Sequence, residues 1–211
     1  MIKEIYADIA VTDGMCWAER VIKRMADLLL SLFGLVFLSP AFLIVYIMLK
    51  KQGDGPVIFR QERIGYRGEP FYILKFRTMR VDSEENGMPR LARKEDDRLT
   101  PVGRFLREHH LDELPQLYNV LKGDMSFVGP RPERKYFIDK IMQINPDYEY
   151  LYQMRPGLTS MATIYNGYTD TMEKMLIRLQ MDLEYLQNRS LWLDLKIVFT
   201  TVNLIINGKK F

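Results

Sequence analysis

A single cysteine, Cys16, occurs among 211 residues, so no internal disulfide can staple the chain, and the composition fits a reducing compartment. Zinc-type Cys/His spacing is missing, as are a Gly-rich phosphate loop, an internal repeat and any low-complexity tract. Their absence removes zinc modules, P-loop and dinucleotide cradles and solenoids from the reading. Neither sign of charge dominates: 30 Lys and Arg against 27 Asp and Glu leave a net +3, with a pI near 8.8. That slight basic excess is compatible with anionic lipid or phosphate partners without selecting them, and on charge alone nucleic acid stays open. The length suits one ordinary globular domain plus appendages, enough for its own core.

What the chain does have begins with an apolar run. Residues 1 to 20 mix charges without a sustained period and read as a short lead-in. After Lys23 and Arg24, no charged residue occurs from Leu28 to Leu49. About 22 residues at roughly 1.5 Å each would just cross a hydrocarbon layer of about 30 Å. A cleavable signal peptide does not fit, because the run starts late and no small-residue cleavage site precedes Lys50 and Lys51. Ser39-Pro40 lies near its middle. The proline removes a backbone donor and displaces the carbonyl of Val36, with the Ser39 hydroxyl at hand for a freed group. The arms, Leu28 to Ser39 at about 18 Å and Ala41 to Leu49 at about 14 Å, each reach only halfway across. Basic residues flank both ends, which favours the cytoplasmic side for both. A re-entrant helix satisfies these facts; a kinked spanning helix is the alternative that the residues leave open.

Gly53 to Pro56 reads as a linker, followed by two strands, Val57 to Gly65 and Phe71 to Met79, joined through Tyr66 to Glu69. On the second, Phe71, Ile73, Lys75 and Arg77 point one way and Tyr72, Leu74 and Phe76 the other. Lys75 and Arg77 are then either an edge kept soluble by charge or an anion-holding pair. Val81 to Asp97, charged and without an apolar period, reads as a mobile loop, either a lid or a plain connection.

The stretch from Asp96 to Pro132 carries the chemistry. Thr100 is placed to cap a short helix opened by Pro101, on which Arg104 and Arg107 share a face opposite Phe105 and Leu106. Asp112 and Glu113 open a second helical pattern marked by Leu111, Leu114, Leu117, Tyr118 and Leu121, with Pro115 in its first turn. A helix start leaves N–H groups free, keeps a carboxylate available and attracts phosphate. Arg98 precedes this region, and Arg131 is fixed between Pro130 and Pro132. Forked, permanently charged guanidinium groups suit phosphate. An ordinary helix-start acid pair beside solvated arginines would look the same by charge pattern. Further on, Phe137, Ile138, Ile141 and Met142 mark a helix that stops at Asn145-Pro146. Tyr148, Tyr150 and Tyr152 then alternate. Met172, Met175, Leu176, Leu179, Leu183 and Leu186 form one helical stripe, which reads as core. The last apolar segment, Ser190 to Ile206, reads either as a buried helix or as one in the membrane interface, with Trp192 at headgroup depth and Lys209 and Lys210 near lipid phosphates.

The run LDELPQLYNVLKGDMSFVGPRP (Leu111 to Pro132), with KFRTM (Lys75 to Met79), RPGLT (Arg155 to Thr159) and SLWLDLKI (Ser190 to Ile197), resembles the bacterial sugar transferases. These are monotopic polyprenyl-phosphate phosphoglycosyl transferases, and the likeness extends from about Lys23 to the C-terminus. It implies an α+β fold: a lead-in at 1–20, a re-entrant membrane hairpin at 21–51 broken at Ser39 and Pro40, and a catalytic domain at 52–211 with a β-hairpin and several helices, some at the interface. It implies a phosphosugar transfer from a nucleotide-sugar donor, a UDP-sugar, to polyprenyl (undecaprenyl) phosphate, with release of UMP. Asp112 is the expected nucleophile, and Asp112 and Glu113 are the expected ligands of Mg²⁺ arriving with the diphosphate. Substrate contacts are expected from Lys75, Arg77, Arg98, Arg104, Arg131 and Arg155. Expected surroundings are membrane lipid at the cytoplasmic face of the bacterial inner membrane, downstream glycosyltransferases and no nucleic acid. Ser160, Thr163 and His110 depart from the usual pattern at sugar and nucleotide contacts. Asp182, Tyr185 and Asp194 match recurring positions, Asp182 as a substrate contact or as an ion-pair or capping residue. A different class of reading is a membrane-tethered, anion-binding scaffold without chemistry.

Overall fold

A computed structural model describes residues 11–53, 55–80, 96–167 and 169–207. The apolar run forms two helices, α1 (Trp17–Phe37) and α2 (Ser39–Gln52), bent by 59° across Leu38. The break has a local cause. Pro40 lies in the first turn of α2, and Ser39 Oγ donates to the Val36 carbonyl at 2.8 Å, replacing the donor that proline lacks. Among the described residues no single helix is long and apolar enough to cross a membrane, whereas the bent pair taken together is. Leu29, Phe33, Val36 and Phe37 on α1 and Leu43, Ile44 and Ile47 on α2 are exposed.

Helix α1 begins at Trp17, inside the stretch read as a lead-in, and its first half is fastened to the globular part. Arg24 donates to the carbonyls of Val120 and Leu121 at 2.7 and 3.0 Å. The buried Asp27 carboxylate accepts the Phe127 N–H at 3.1 Å, and Lys23 pairs with Asp194. Gly34 lets the helix lie against Leu117, whose methyl would stand 3.1 Å from an added Cβ.

Strands β1 (Ile58–Ile64) and β2 (Pro70–Phe76) form the expected antiparallel hairpin around a 3-10 turn at Tyr66–Gly68. Phe71 and Ile73 are buried while Tyr72 is exposed, as alternation requires. A second, parallel pair joins β3 (Ser126–Val128) to β4 (Gly157–Thr159). Helix α3 (Pro101–Glu108) starts as the sequence dictates, with Thr100 Oγ1 accepting the Gly103 N–H at 2.9 Å. Its inner face is Gly103 and Leu106. Phe105, expected with the apolar side, is 45% exposed and stacks on His109, because a period of 3.6 cannot bring neighbours 105 and 106 onto one face. Gly103 sits so close to the segment after β2 that a Cβ would lie 1.9 Å from Thr78 O. Gly103→Ala is therefore expected to lower the unfolding temperature by about 10 °C, corresponding to about 3 kcal/mol of overpacking, in a thermal melt.

Helix α4 (Gln116–Lys122) follows, then α5 (Lys135–Ile144), which stops at Asn145 before proline as expected. The alternating tyrosines do not form a strand. Residues Pro146–Gln153 are a 3-10 helix, started by Asn145 Oδ1 accepting the Asp147 N–H at 2.9 Å. After α6 (Met161–Tyr165), α7 (Met172–Asn188) buries Met175, Leu179 and Leu186 in the main core with Val128, Ile138 and Ile141. Helix α8 (Leu191–Ile206) answers the two readings of the last segment with two faces. Asp194 and Ile197 are buried, while Trp192, Phe199 and Ile206 are more than 70% exposed. The segment read as a lid falls, from 81 to 95, outside the described residues, as do Lys209 and Lys210. The described chain is thus a mixed α+β fold of helices around two small sheets.

Candidate active site

The carboxylate pair stands on a 3-10 turn, Leu111–Glu113, ahead of α4 rather than on it. Pro115 occupies the cap position, and α4 has only seven residues, so the expected helix start is a turn and a short helix. The chain enters the turn through His110 at φ 55°, ψ 19°. For a residue with a Cβ this left-handed conformation costs about 1–2 kcal/mol, a strain often found at working sites. Leu111 and Leu114 pack on Val45, Leu49, Phe76 and Leu106, which fixes the turn from beneath.

Helix α4 is tied to β2 by a side chain acting as backbone. Asn119 Oδ1 accepts the Leu74 N–H at 3.0 Å, and Asn119 Nδ2 donates to Tyr72 O at 2.8 Å. The strand edge is thereby paired, and Lys75 is brought to the turn. Lys75 Nζ lies 2.6 Å from Glu113 Oε1, and the Arg131 guanidinium reaches the same oxygen at 3.3 Å. Arg131 is carried by a segment held on both sides: Gly157 N–H donates to Pro130 O at 2.9 Å, and Ile64 N–H donates to Glu133 O at 3.1 Å.

The two neighbouring acids are driven apart electrostatically. Burial pushes Asp112 up to about 6; Lys75 pulls it back, and the Glu113 charge adds to the rise. Burial also raises Glu113, but Lys75 and then Arg131 overcome it and hold that carboxyl far below the usual range. Arg107 belongs to the charges acting on Asp112. His110 is held below its ordinary value by burial, with Glu113 opposing. Asp112 is 6% exposed and accepts no hydrogen bond from the described residues. A buried carboxylate left without donors is a reactive one, and its neighbour is already neutralised.

Of the residues expected at the site, Asp112, Glu113, Lys75 and Arg131 come together. The others have different visible partners. Arg77 donates to the carbonyls of Leu49 and Gly53 beneath the end of α2. Arg98 forms a buried pair with Asp96, its Nε 2.7 Å from Oδ1. Arg155 donates to Gly123 O at 2.9 Å and lies over the Tyr66 ring, and Arg104 is exposed on α3. Ser160 caps α6, accepting the Thr163 N–H at 2.9 Å. Asp194 accepts from Tyr185 and Lys23. Sequence reasoning passed over Asn119 and Glu133, and it named Arg107 as a cation on α3 without singling it out as a charge acting on Asp112. Only Glu133 left a trace, two places beyond Arg131 in an extended segment.

A magnesium ion usually takes one or two carboxylates plus phosphate oxygens and waters. Among the described residues no three Asp, Glu, His or Cys side chains converge as a cage. Asp112, with no donor upon it, fits as one oxygen ligand, and Glu113 Oε2 is the second oxygen at hand, its Oε1 being shared by Lys75 and Arg131.

Residues 18–208 match the family model described as bacterial sugar transferase. The chain is 41% identical over 187 residues to the UDP-N-acetylgalactosamine-undecaprenyl-phosphate N-acetylgalactosaminephosphotransferase of Aeromonas hydrophila, covering 89% of this chain and 44% of that one. It is 44% identical over 184 residues to the UDP-glucose:undecaprenyl-phosphate glucose-1-phosphate transferase of Klebsiella pneumoniae, covering 86% and 39%. The Caulobacter vibrioides protein of the same name is 44% identical over 182 residues, covering 85% and 68%. The chain thus spans less than half the length of the first two relatives.

Proposed function

Because the chain belongs to the bacterial sugar transferase family, we propose that it transfers a phosphosugar from a UDP-sugar to undecaprenyl phosphate through a covalent phosphoglycosyl aspartate at Asp112. The observation that carries this reading is the buried Asp112 carboxylate, which accepts no hydrogen bond from the described residues, beside a Glu113 already paired with two cations. An Asp112 oxygen attacks the sugar-bearing phosphorus of the donor. The bond from that phosphorus to the bridging oxygen breaks, and UMP leaves with the electron pair. An oxygen of the lipid phosphate then attacks the same phosphorus, the acyl phosphate bond breaks, and Asp112 returns as a carboxylate. Dividing one displacement into two is the ordinary gain of covalent catalysis.

An anionic nucleophile and an anionic diphosphate repel each other, so fixed cations at the site are worth most where water is excluded. Lys75 and Arg131, both reaching Oε1 of Glu113, meet that need. Magnesium held by Asp112 and Glu113 would neutralise diphosphate charge when bound. Arg77, Arg98, Arg104 and Arg155 would serve the donor from farther out. The bent α1–α2 pair would enter and leave the same leaflet, setting the site at the depth of the acceptor's phosphate on the cytoplasmic face of the inner membrane. The product would be the lipid-linked first sugar on which further glycosyltransferases act.

Nucleotide release tests the reaction. UMP should be released over many turnovers only when a UDP-sugar and polyprenyl phosphate are both supplied, and donor alone should release no more than about one UMP per protein. Lipid binding without UMP would leave the scaffold reading. Topology has its own probe in Cys16, exposed at the start of α1. An impermeant maleimide added to spheroplasts should leave it unlabelled and should label it in inside-out vesicles. Pro40→Ala is expected to straighten the pair and reverse that pattern. Labelling of the unaltered protein from outside would end the re-entrant proposal.

A further inference from the structure

Arg131 meets Glu113 with one side of its guanidinium, and the same side chain lines a small cavity together with Glu133, Tyr148, Arg178 and Asp182. Behind it runs a chain of buried charges. Glu133 stands two residues beyond Arg131, and the two charges act on each other. Arg178 on α7 donates to Glu133 Oε1 at 2.6 Å, with side chains only 7% and 8% exposed, and donates with its other arm to Thr169 at 3.1 Å. Arg63, at the end of β1, lies 3.5 Å from Glu133 Oε2 and donates to Pro132 O at 3.0 Å. Asp182, one turn along α7 from Arg178, is 2% exposed, and its Oδ1 has no hydrogen-bond partner among the described residues.

A buried ion chain adds little net stability, because lost hydration offsets the attraction. Its effect is geometric. Arg178 and Arg63 clamp the Glu133 carboxylate, and Arg63 also clamps the Pro132 carbonyl, so the segment that carries Arg131 is held in a direction that an unanchored surface segment would not keep. We infer that Arg178, acting through Glu133, is the positioning residue for Arg131, so that α7 sets the direction from which the guanidinium faces the carboxylate pair. Asp182 closes the far end of the chain and lines the same cavity as Arg131. What Arg131 then grips, a donor phosphate, rests on the reading above; the positioning does not.

Two measurements keep these apart. In the full-length protein in micelles, the Arg131 Nη2–H that meets Glu113 should exchange with water more slowly than a free guanidinium N–H. In Glu133→Gln and Arg178→Met it should exchange at least about tenfold faster. Arg178→Lys, which keeps the charge, should stay close to wild type. Unchanged exchange in Glu133→Gln and Arg178→Met overturns the inference, whether or not the protein turns over any donor. Should Glu133→Gln fail to fold, Glu133→Asp withdraws the carboxylate by one methylene and should speed exchange about threefold; no change there overturns it equally. The second measurement is turnover of a UDP-sugar with polyprenyl phosphate. Glu133→Gln should lose about 10²-fold in kcat, yet less than about threefold when Arg131 is already alanine. Equal losses in both backgrounds would mean that Glu133 serves the fold and not Arg131. Slow Arg131 exchange in a wild type without turnover would sink the transfer reaction alone.

Discussion

Asp112→Asn is expected to give no mass adduct when the protein is mixed with sugar donor and weighed intact, and to lose all measurable UMP release. Glu113→Gln should keep a detectable adduct, since Glu113 is the partner of Lys75 and Arg131 and not the attacking group. Turnover retained by Asp112→Asn would remove the nucleophile assignment. The same variant should be more heat-stable than the parent at neutral pH. Burial lifts the folded-state pKa of Asp112 from the ordinary 3.8 to about 6, above its unfolded value. Its contribution to stability is therefore fully present below about 4 and is lost as pH rises through about 6. Asparagine of nearly the same shape avoids the cost of burying charge. Melts at pH 8 should favour Asp112→Asn by about 1–3 kcal/mol, and the gap should close by about pH 4. A gap between the two proteins that stays the same from pH 4 to pH 8 would contradict the burial argument even if the adduct forms.

Lys75→Met should cost about 10²–10³-fold in kcat, the usual effect of deleting one charge-stabilising donor from a water-poor site. Lys75 is the nearest cation to Glu113 and the leading opponent of the burial that raises Asp112. Removing it lets Asp112 rise further, so the acidic limb of the pH–rate profile should move to higher pH. Lys75→Arg should recover part of the rate, because charge is restored but not the reach of the amine. A variant whose rate falls without any movement of the acidic limb would mean that Lys75 serves binding alone.

Much of this arrangement can be read from local pattern. Alternation at Phe71, Tyr72 and Ile73 predicts the hairpin. Thr100-Pro101 announces the start of α3, and Ser39-Pro40 places the bend together with its compensating hydroxyl bond. What stayed hidden depends on long-range polar pairing. Asn119 bonds to residues more than forty positions away, and Glu133 meets Arg178 across 45. Such contacts leave no period, because a single side chain makes them. Asn145-Pro146 is a good start for a 3-10 turn, and the three alternating tyrosines follow it into that helix. The pair Asp112-Glu113 could be seen from the sequence, but the division of labour between them could not. That division follows from burial and from which oxygen the cations reach.

The grip of α1 on the globular part has a practical side. Arg24 covers the last carbonyls of α4, and Asp27 receives the amide at the centre of β3. The bent α1–α2 hairpin is thus no detachable handle. Cutting it away to obtain a water-soluble fragment would strip bonding partners from the very helix that follows Asp112, and the excised remainder would begin life with the turn bearing the carboxylate pair unsupported.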